Sequence, residues 1–325
     1  MTAKTAIITG VRGQDGRHLA ACLIGRGYRV VGTTHGVVNN EAPPIDGVEL
    51  VHWDLKDEAA LADLVRGTQP SEVYNLAAYS SGAGMFENPV GIGEINGLAV
   101  TRMLEAIKTI DPSIRFCQAS SSEMFGDPAA SPQTENTPFR PQSPYGAAKL
   151  YAHEMVGIYR QRHGMFACSA ILFNHESQYR GLGFVTQKVA RAAASIKLGL
   201  TATLELGNLE ARRDWGFSGD YVRGMWLMLQ TDAPDDYLLA TGRTHSVRDL
   251  CRHAFEHVGL DYRDFVREDP AAKRPVETGP LVGDASKAAR RLGWSPSVTF
   301  EELVRTMVDF ELDRLGKEVR PMDEA

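Results

Sequence analysis

Thr5-Ala6-Ile7-Ile8-Thr9-Gly10-Val11-Arg12-Gly13-Gln14-Asp15-Gly16 stands almost at the start of a chain of 325 residues. An apolar run of strand length, Thr5–Thr9, leads into three glycines spaced Gly-x-x-Gly-x-x-Gly, and a helical pattern follows through Gly25. Strand, glycine turn and helix in that order open a dinucleotide-binding βαβ unit. Glycines let the backbone approach a pyrophosphate, which then sits at the positive end of the helix. Gly10, Arg12, Gly13, Gln14, Asp15 and Gly16 are therefore candidate cofactor contacts. A plain turn with a helix cap is the simpler reading of the triplet alone, and its place directly after a strand favours the cofactor.

The pattern continues outward from there. Tyr28–Gly32 reads as a second strand ending Gly32-Thr33-Thr34-His35-Gly36, with neither the acid that binds a ribose 2′-hydroxyl nor a strongly basic residue for a 2′-phosphate. Arg12 and His35 are the nearby cationic groups, so NADP is favoured and NAD stays open. Val48–Trp53 is a third strand, closed by Asp54-Leu55, where a carboxylate could meet the adenine edge. Helix Glu58–Arg66 leads to a buried strand, Val73–Ala78, whose end residues Leu76, Ala77 and Ala78 let a cofactor lie against the backbone or simply pack. Helix Ile95–Lys108 and strand Ile114–Ala119 follow. Strands alternating with helices over roughly the first 170 residues predict an α/β, Rossmann-type doubly wound parallel sheet.

After that strand come Ser121 and Glu123, then Tyr145 and Lys149 in a helix opened by Ser143-Pro144 and running to His163. Tyr145 and Lys149 are four apart and share a helix face. A phenol beside an ammonium ionises more easily, which makes Tyr145 a candidate acid/base for a sugar hydroxyl.

Strand Ala167–Phe173, an irregular loop Asn174–Gly183, helix Val185–Leu198 and strand Thr203–Gly207 come next. The loop Asn208–Asp220 precedes helix Tyr221–Gln230, strand Tyr237–Ala240, helix Val247–Val258 and a terminal helix Glu301–Leu315; Arg320–Ala325 reads as frayed. The expected division is a dinucleotide-binding domain over residues 1–173 and a smaller, interleaved substrate-binding domain over 174–325. Residues 208–246 are the part expected to return to the first. A net charge of −6 argues against nucleic acid, which needs a basic excess. No apolar run reaches the length of a membrane span. Cys22, Cys117, Cys168 and Cys251 are scattered, with no metal-ligand spacing. No signal peptide is read, and the cytoplasm is the expected compartment.

Taken together, Thr-Gly-x-x-Gly-x-x-Gly, Asp54-Leu55, Asn75-Leu76-Ala77-Ala78 and Tyr145-x-x-x-Lys149 resemble the extended short-chain dehydrogenase/reductase superfamily. Phe173-Asn174-His175-Glu176-Ser177, Leu206-Gly207-Asn208, Arg213-Asp214-Trp215-Gly216 and Arg274-Pro275-Val276-Glu277 narrow the resemblance to the GDP-mannose 4,6-dehydratase family. The resemblance implies a hydro-lyase with catalytic Ser121, Glu123, Tyr145 and Lys149, and a GDP-sugar held by Asn174, Lys188, Arg213, Arg274 and Glu277, with Arg180 and Arg248 beside them. It also implies a homodimer, with a tetramer as a larger assembly, paired through the Tyr-x-x-x-Lys helix; the apolar face of Tyr151, Met155, Ile158 and Tyr159 would suit that pairing or burial within the monomer. Three departures stand out: the loop after the second strand is short and lacks an Arg-Arg element, Ser121 replaces a threonine, and Tyr79–Met85 carries two glycines near the sugar. The last of these leaves room for a larger sugar. A GDP-sugar 4-dehydrogenase, reductase or epimerase on the same scaffold is the alternative, and a non-catalytic cofactor sensor a more remote one.

Overall fold

The computed structural model describes residues 3–35, 45–80, 86, 88–269 and 281–319. Arg274 and Glu277, residues 36–40 after the second strand, the glycines of residues 81–85 and the terminal residues 320–325 lie outside them. In the first half the order is β1 (Thr5–Thr9), α1 (Gln14–Ile24), β2 (Arg29–Thr34), β3 (Val48–His52), α2 (Glu58–Thr68), β4 (Glu72–Asn75), α3 (Pro89–Gly93), α4 (Ala99–Ile110), β5 (Arg115–Ser121), α5 (Pro144–His163) and β6 (Ala167–Leu172). The second half adds β7 (His175–Glu176), α6 (Val185–Lys197), β8 (Leu204–Leu206), β9 (Arg212–Arg213), β10 (Gly216–Phe217), α7 (Ser218–Met228), β11 (Tyr237–Leu239), β12 (His245–Ser246), α8 (Val247–His257), α9 (Tyr262–Phe265), β13 (Val266–Glu268), α10 (Ser286–Leu292) and α11 (Phe300–Val319).

Seven strands form one parallel sheet in the order β11-β6-β5-β4-β1-β2-β3. The strands read as nearly unbroken buried runs because helices cover both faces. Strand order reverses between β1 and β4, and ligands of such sheets lie at the carboxyl ends beside that reversal. At those ends Thr9 joins the two strands. Its hydroxyl donates to Asn75 Oδ1 at 2.6 Å and accepts from the Leu76 and Ala77 amides at 3.1 and 3.0 Å. A separate core cluster, including Leu206, Trp215, Leu250 and Phe300, holds α6, α8 and α11 together with β8 and β13.

Two departures from the expected elements have local causes. Helix opens at Pro89, not Ile95, because Asn88 caps it by accepting from the Gly91 amide at 2.9 Å and proline fits the first turn. Between α3 and α4 the helix widens into a π turn, Glu94–Leu98, that turns buried Asn96 inward. Asn96 accepts from the Tyr79 amide and donates to the Tyr79 carbonyl at 2.9 and 3.0 Å. In the second half, β7, β9, β10 and β12 are two-residue strands within stretches expected to be irregular. Of the residues expected on a dimer face, Tyr151 and Ile158 are exposed, but Tyr159 is buried against Glu105 and Met155 packs on the monomer's core.

Candidate active site

Two cavities meet at the carboxyl ends of β4, β5 and β6. The first is bordered by Asp15, Leu76, Ala78, Ser121, Tyr145 and Lys149. The second is bordered by Glu176, Lys188, Asn208, Arg213 and Trp215. Ser80, Glu123, Asn174 and Phe184 border both. The structure thus gathers Ser121, Glu123, Tyr145 and Lys149 on one cavity and puts Glu123 at the junction.

Each group is placed by local chemistry. Ser121 ends β5 and caps the short helical turn Ser122–Met124, its hydroxyl accepting from the Glu123 amide at 3.2 Å. Ser143 caps α5 by accepting from the Gly146 amide at 3.0 Å, and Pro144 fills the first turn. Gly146 lets the two segments touch: a Cβ there would stand 2.6 Å from the Glu123 carbonyl oxygen. Sequence reading missed this glycine, although its place between Tyr145 and Lys149 was in view.

The electrostatics differ from expectation. Lys149 Nζ donates to the Ala119 carbonyl at 2.8 Å and lies 5.7 Å from the centroid of the Tyr145 ring. Burial pushes the Tyr145 phenol up to about 12, against an opposing pull from the Ser121 hydroxyl, with Glu123 adding to the rise. Burial lowers Lys149 to about 8, opposed by Asp15. The Lys149 ammonium favours the phenolate, but burial outweighs it and leaves the phenol raised in this arrangement. That ammonium is held by a backbone carbonyl on a buried path, and desolvation dominates both groups.

At the glycine turn, Gly10 (φ +67°) brings its Cα within contact of β4's end; a Cβ would stand 3.0 Å from Ala77 Cα. Gly16 packs on Val11, whose Cα would be 2.5 Å from a Cβ. At Gly13 the near atom is the Gly10 carbonyl oxygen at 3.3 Å, so its other side is free for a ligand to approach. Two buried hydroxyls fit the same ligand. Ser120 Oγ, bordering the first cavity, and Thr34 Oγ1, at the carboxyl end of β2, have no hydrogen-bond partner among the described residues. A helix start, glycines without side chains and orphan hydroxyls suit a dinucleotide. Asp54 and Leu55 do not border the cavity: Asp54 Oδ1 accepts from the Lys56 amide at 3.0 Å and Leu55 is buried in the core behind. Arg12 and His35 flank the end of β2, with His35 exposed.

His175, unforeseen from sequence, completes the floor. Its Nε2 lies 2.9 Å from Asp15 Oδ2 and its Nδ1 2.7 Å from the Phe173 carbonyl oxygen. A carbonyl only accepts, so Nδ1 carries a proton; an ionised carboxylate takes a second from Nε2, and the ring is an imidazolium. Burial alone would lower the His175 pKa and raise that of Asp15. Their mutual attraction and hydrogen bond outweigh it, holding His175 raised and Asp15 at about 2. Ser218 also donates to Asp15 Oδ1 at 2.6 Å, and Gln14 Nε2 donates to the His175 carbonyl at 2.8 Å. Gln14 and Asp15, expected as direct cofactor contacts, are thereby engaged in joining α1 to β7 and α7.

Among the expected substrate contacts, Asn174, Lys188 and Arg213 border the second cavity; Lys188 Nζ donates to the Glu205 carbonyl at 2.7 Å. Arg180 borders the first cavity instead, tied to Glu176 on β7. Arg248 borders neither; its guanidinium is paired with Glu210 at 2.7 Å and with Glu268 at 3.6 Å. Among the described residues no cluster could hold a metal ion, and no helix is long and apolar enough to cross a membrane.

The family model of GDP-mannose 4,6 dehydratase matches residues 7–307. GDP-mannose 4,6 dehydratase 2 of Arabidopsis thaliana is 45% identical over 331 residues, covering 97% of this chain and 88% of the relative. The fold is similar to that of RMD from Pseudomonas aeruginosa complexed with NADPH, with a TM-score of 0.82, 24% identity and coverage of 96% and 100%. It is also similar to dTDP-glucose 4,6-dehydratase from Bacillus anthracis in complex with NAD, with a TM-score of 0.82, 18% identity and coverage of 98% and 99%.

Proposed function

The chain belongs to the GDP-mannose 4,6-dehydratase family, and on that footing we propose that it converts a GDP-hexose, GDP-mannose before others, to the 4-keto-6-deoxy sugar. The steps are oxidation at C4, loss of water across C5 and C6, and return of hydride to C6 with the proton that Tyr145 took from the 4-hydroxyl going to C5. The observation that carries this reading is Glu123 at the junction of the two cavities, on the same segment as Ser121. A plain sugar reductase needs the hydroxyl, phenol and ammonium but no base for a carbon acid.

Bound NADP supplies a positively charged hydride acceptor that gives the hydride back, leaving no net redox change. Gly13 with the start of α1 would hold its diphosphate, in a turn that Gly10 and Gly16 allow to pack closely, and Leu76 and Ala78 its nicotinamide half. Thr34, Arg12 and His35 stand toward its adenosine end and support NADP over NAD. Tyr145 takes the proton from the sugar 4-hydroxyl as hydride leaves C4, and Ser121 hydrogen-bonds the same oxygen. Lys149, anchored on Ala119, keeps its ammonium beside that oxygen's path. The new 4-keto group acidifies the C5 proton, which Glu123 removes as general base. Glu123, now protonated, delivers its proton to the departing 6-hydroxyl. Asn174, Lys188 and Arg213 would hold the sugar nucleotide, the cations through charge-assisted bonds to phosphate oxygens.

In this reading residues 1–173 carry the dinucleotide and 174–325 mainly the sugar nucleotide. The pairing of β11 with β6 supports a return of residues 208–246 to the first unit. Exposed Val90, Leu98, Tyr151 and Ile158 on α3, α5 and the π turn support a homodimer. The free cysteines, three of them buried, suit the reducing cytoplasm. The test is incubation of the purified protein with GDP-mannose and mass spectrometry of the product, expecting loss of one water. Glu123→Gln should cut water loss by about 10²–10⁴-fold while reduced nicotinamide still forms; undiminished dehydration sinks the assignment. Net consumption of cofactor in each turnover would instead favour the reductase.

A further inference from the structure

Glu176 and Arg180 are an ion pair whose two members border different cavities. Glu176 is 2% exposed and stands in the wall of the second cavity, whereas Arg180 borders the first, beside Asp15 and Tyr145. Glu176 Oε2 accepts from Arg180 Nε at 2.6 Å and from Thr186 Oγ1 at 2.8 Å, and Oε1 accepts from Arg180 Nη2 at 3.2 Å. Nη2 also donates to the His175 carbonyl, and the guanidinium lies 4.1 Å from the Phe184 ring centroid. Two of the three guanidinium nitrogens are thus engaged and the plane is fixed. Nη1 has no hydrogen bond among the described residues.

We infer that Glu176 is a positioning residue that couples the two cavities: from the wall of the sugar-nucleotide cavity it clamps Arg180 so that Nη1 serves an oxyanion of the dinucleotide in the other. The inference rests on the function proposed above and deepens it. A fork held at Nε and Nη2 meets an oxyanion with its orientation already set, which a point cation cannot do. Glu176 borders the second cavity as well, so a ligand arriving there meets the same carboxylate that holds Arg180. Binding in one cavity then changes affinity in the other, by the same factor in both directions.

The test measures NADPH binding by fluorescence and GDP binding by calorimetry, each with and without the other ligand. Glu176→Gln should weaken NADPH by about tenfold while GDP binding to the NADPH-free protein stays within about twofold. Arg180→Lys should weaken NADPH to the same degree, and the double variant should add nothing further. A folded Glu176→Gln protein with unchanged NADPH affinity overturns the inference, as does strict additivity. Weakening of GDP alone overturns it too, by making Glu176 a direct substrate ligand. A wild-type chain that binds NADPH but not GDP overturns the functional reading itself, which a silent Glu176→Gln would leave standing. Should that variant fail to fold, Thr186→Val removes one bond to the same oxygen and no charge; about a threefold weakening of NADPH is then expected, and no weakening overturns the inference.

Discussion

Replacing Asp15 by asparagine keeps the shape at the start of α1 and removes the charge that faces His175. The carboxyl is held at about 2 in the folded chain against an ordinary 3.8, a difference that corresponds to about 2.5 kcal/mol of native-state stabilisation. Asparagine can keep both hydrogen bonds, its Oδ1 accepting from Ser218 Oγ and its Nδ2 donating to Nε2 of a then neutral His175, so what is lost is the charge pair. The expected loss is therefore about 2–3 kcal/mol near pH 6, measured by urea denaturation of both proteins across pH. The signs follow from each partner. Asp15 is depressed, so its contribution is present above about 3.8 and disappears as pH falls toward 2. His175 is raised, so its contribution is complete below its ordinary 6.5 and is lost as pH rises through its higher folded value. The gap between the proteins should be widest between those limits and narrow on either side. A gap below about 0.5 kcal/mol at pH 6, or one that does not shrink as pH falls from about 4 toward 2, would refute the assignment of a charged Asp15–His175 pair.

Lys149, lowered to about 8 by burial, should lose its proton as pH rises past that value. kcat/KM should then fall above about pH 8, and Lys149→Arg should remove this alkaline limb from the pH–rate profile while lowering the rate at its plateau. Gly146→Ala drives a Cβ to 2.6 Å from the Glu123 carbonyl; kcat is expected to drop about tenfold or more as Glu123 and Tyr145 are moved apart, with about 1–3 kcal/mol lost in thermal stability. Val90→Asp, at a side chain 76% exposed on α3, should convert a dimer to a monomer in sedimentation; a monomeric wild type would refute the pairing.

The parts of the site that could be read from sequence are those joined over short spans. Tyr145 and Lys149 share a helix turn, and Ser121 and Glu123 share a strand end, so residue type and spacing carry their placement. The glycine turn is equally local, and its two flanking elements announce themselves by apolar runs. His175 could not be found that way, because its partner Asp15 is 160 residues distant and only the closed sheet brings them together. The strands β7, β9, β10 and β12 have two residues each, too few for an alternation to register. Arg180 and Arg248 show the limit for charged side chains. Both are expected from sequence beside the sugar nucleotide, and the carboxylates they pair with, Glu176 and Glu210, hold each guanidinium where it lies. The raised phenol of Tyr145 reflects desolvation, which depends on what the whole chain packs around it.

The seventh strand has a consequence for how the chain is made. β11, at residues 237–239, closes the edge of β6, at 167–172. On a ribosome adding about 5–20 residues per second, β6 emerges seconds before its neighbour exists. Throughout that interval a strand that is fully buried in the finished fold offers unpaired amides and carbonyls to any extended segment nearby. A nascent chain arrested there, or a fragment cut after residue 173, should therefore bind chaperones or aggregate. Circular permutants that open the chain between β6 and β11 should suffer most in yield, even where the finished molecule is equally stable.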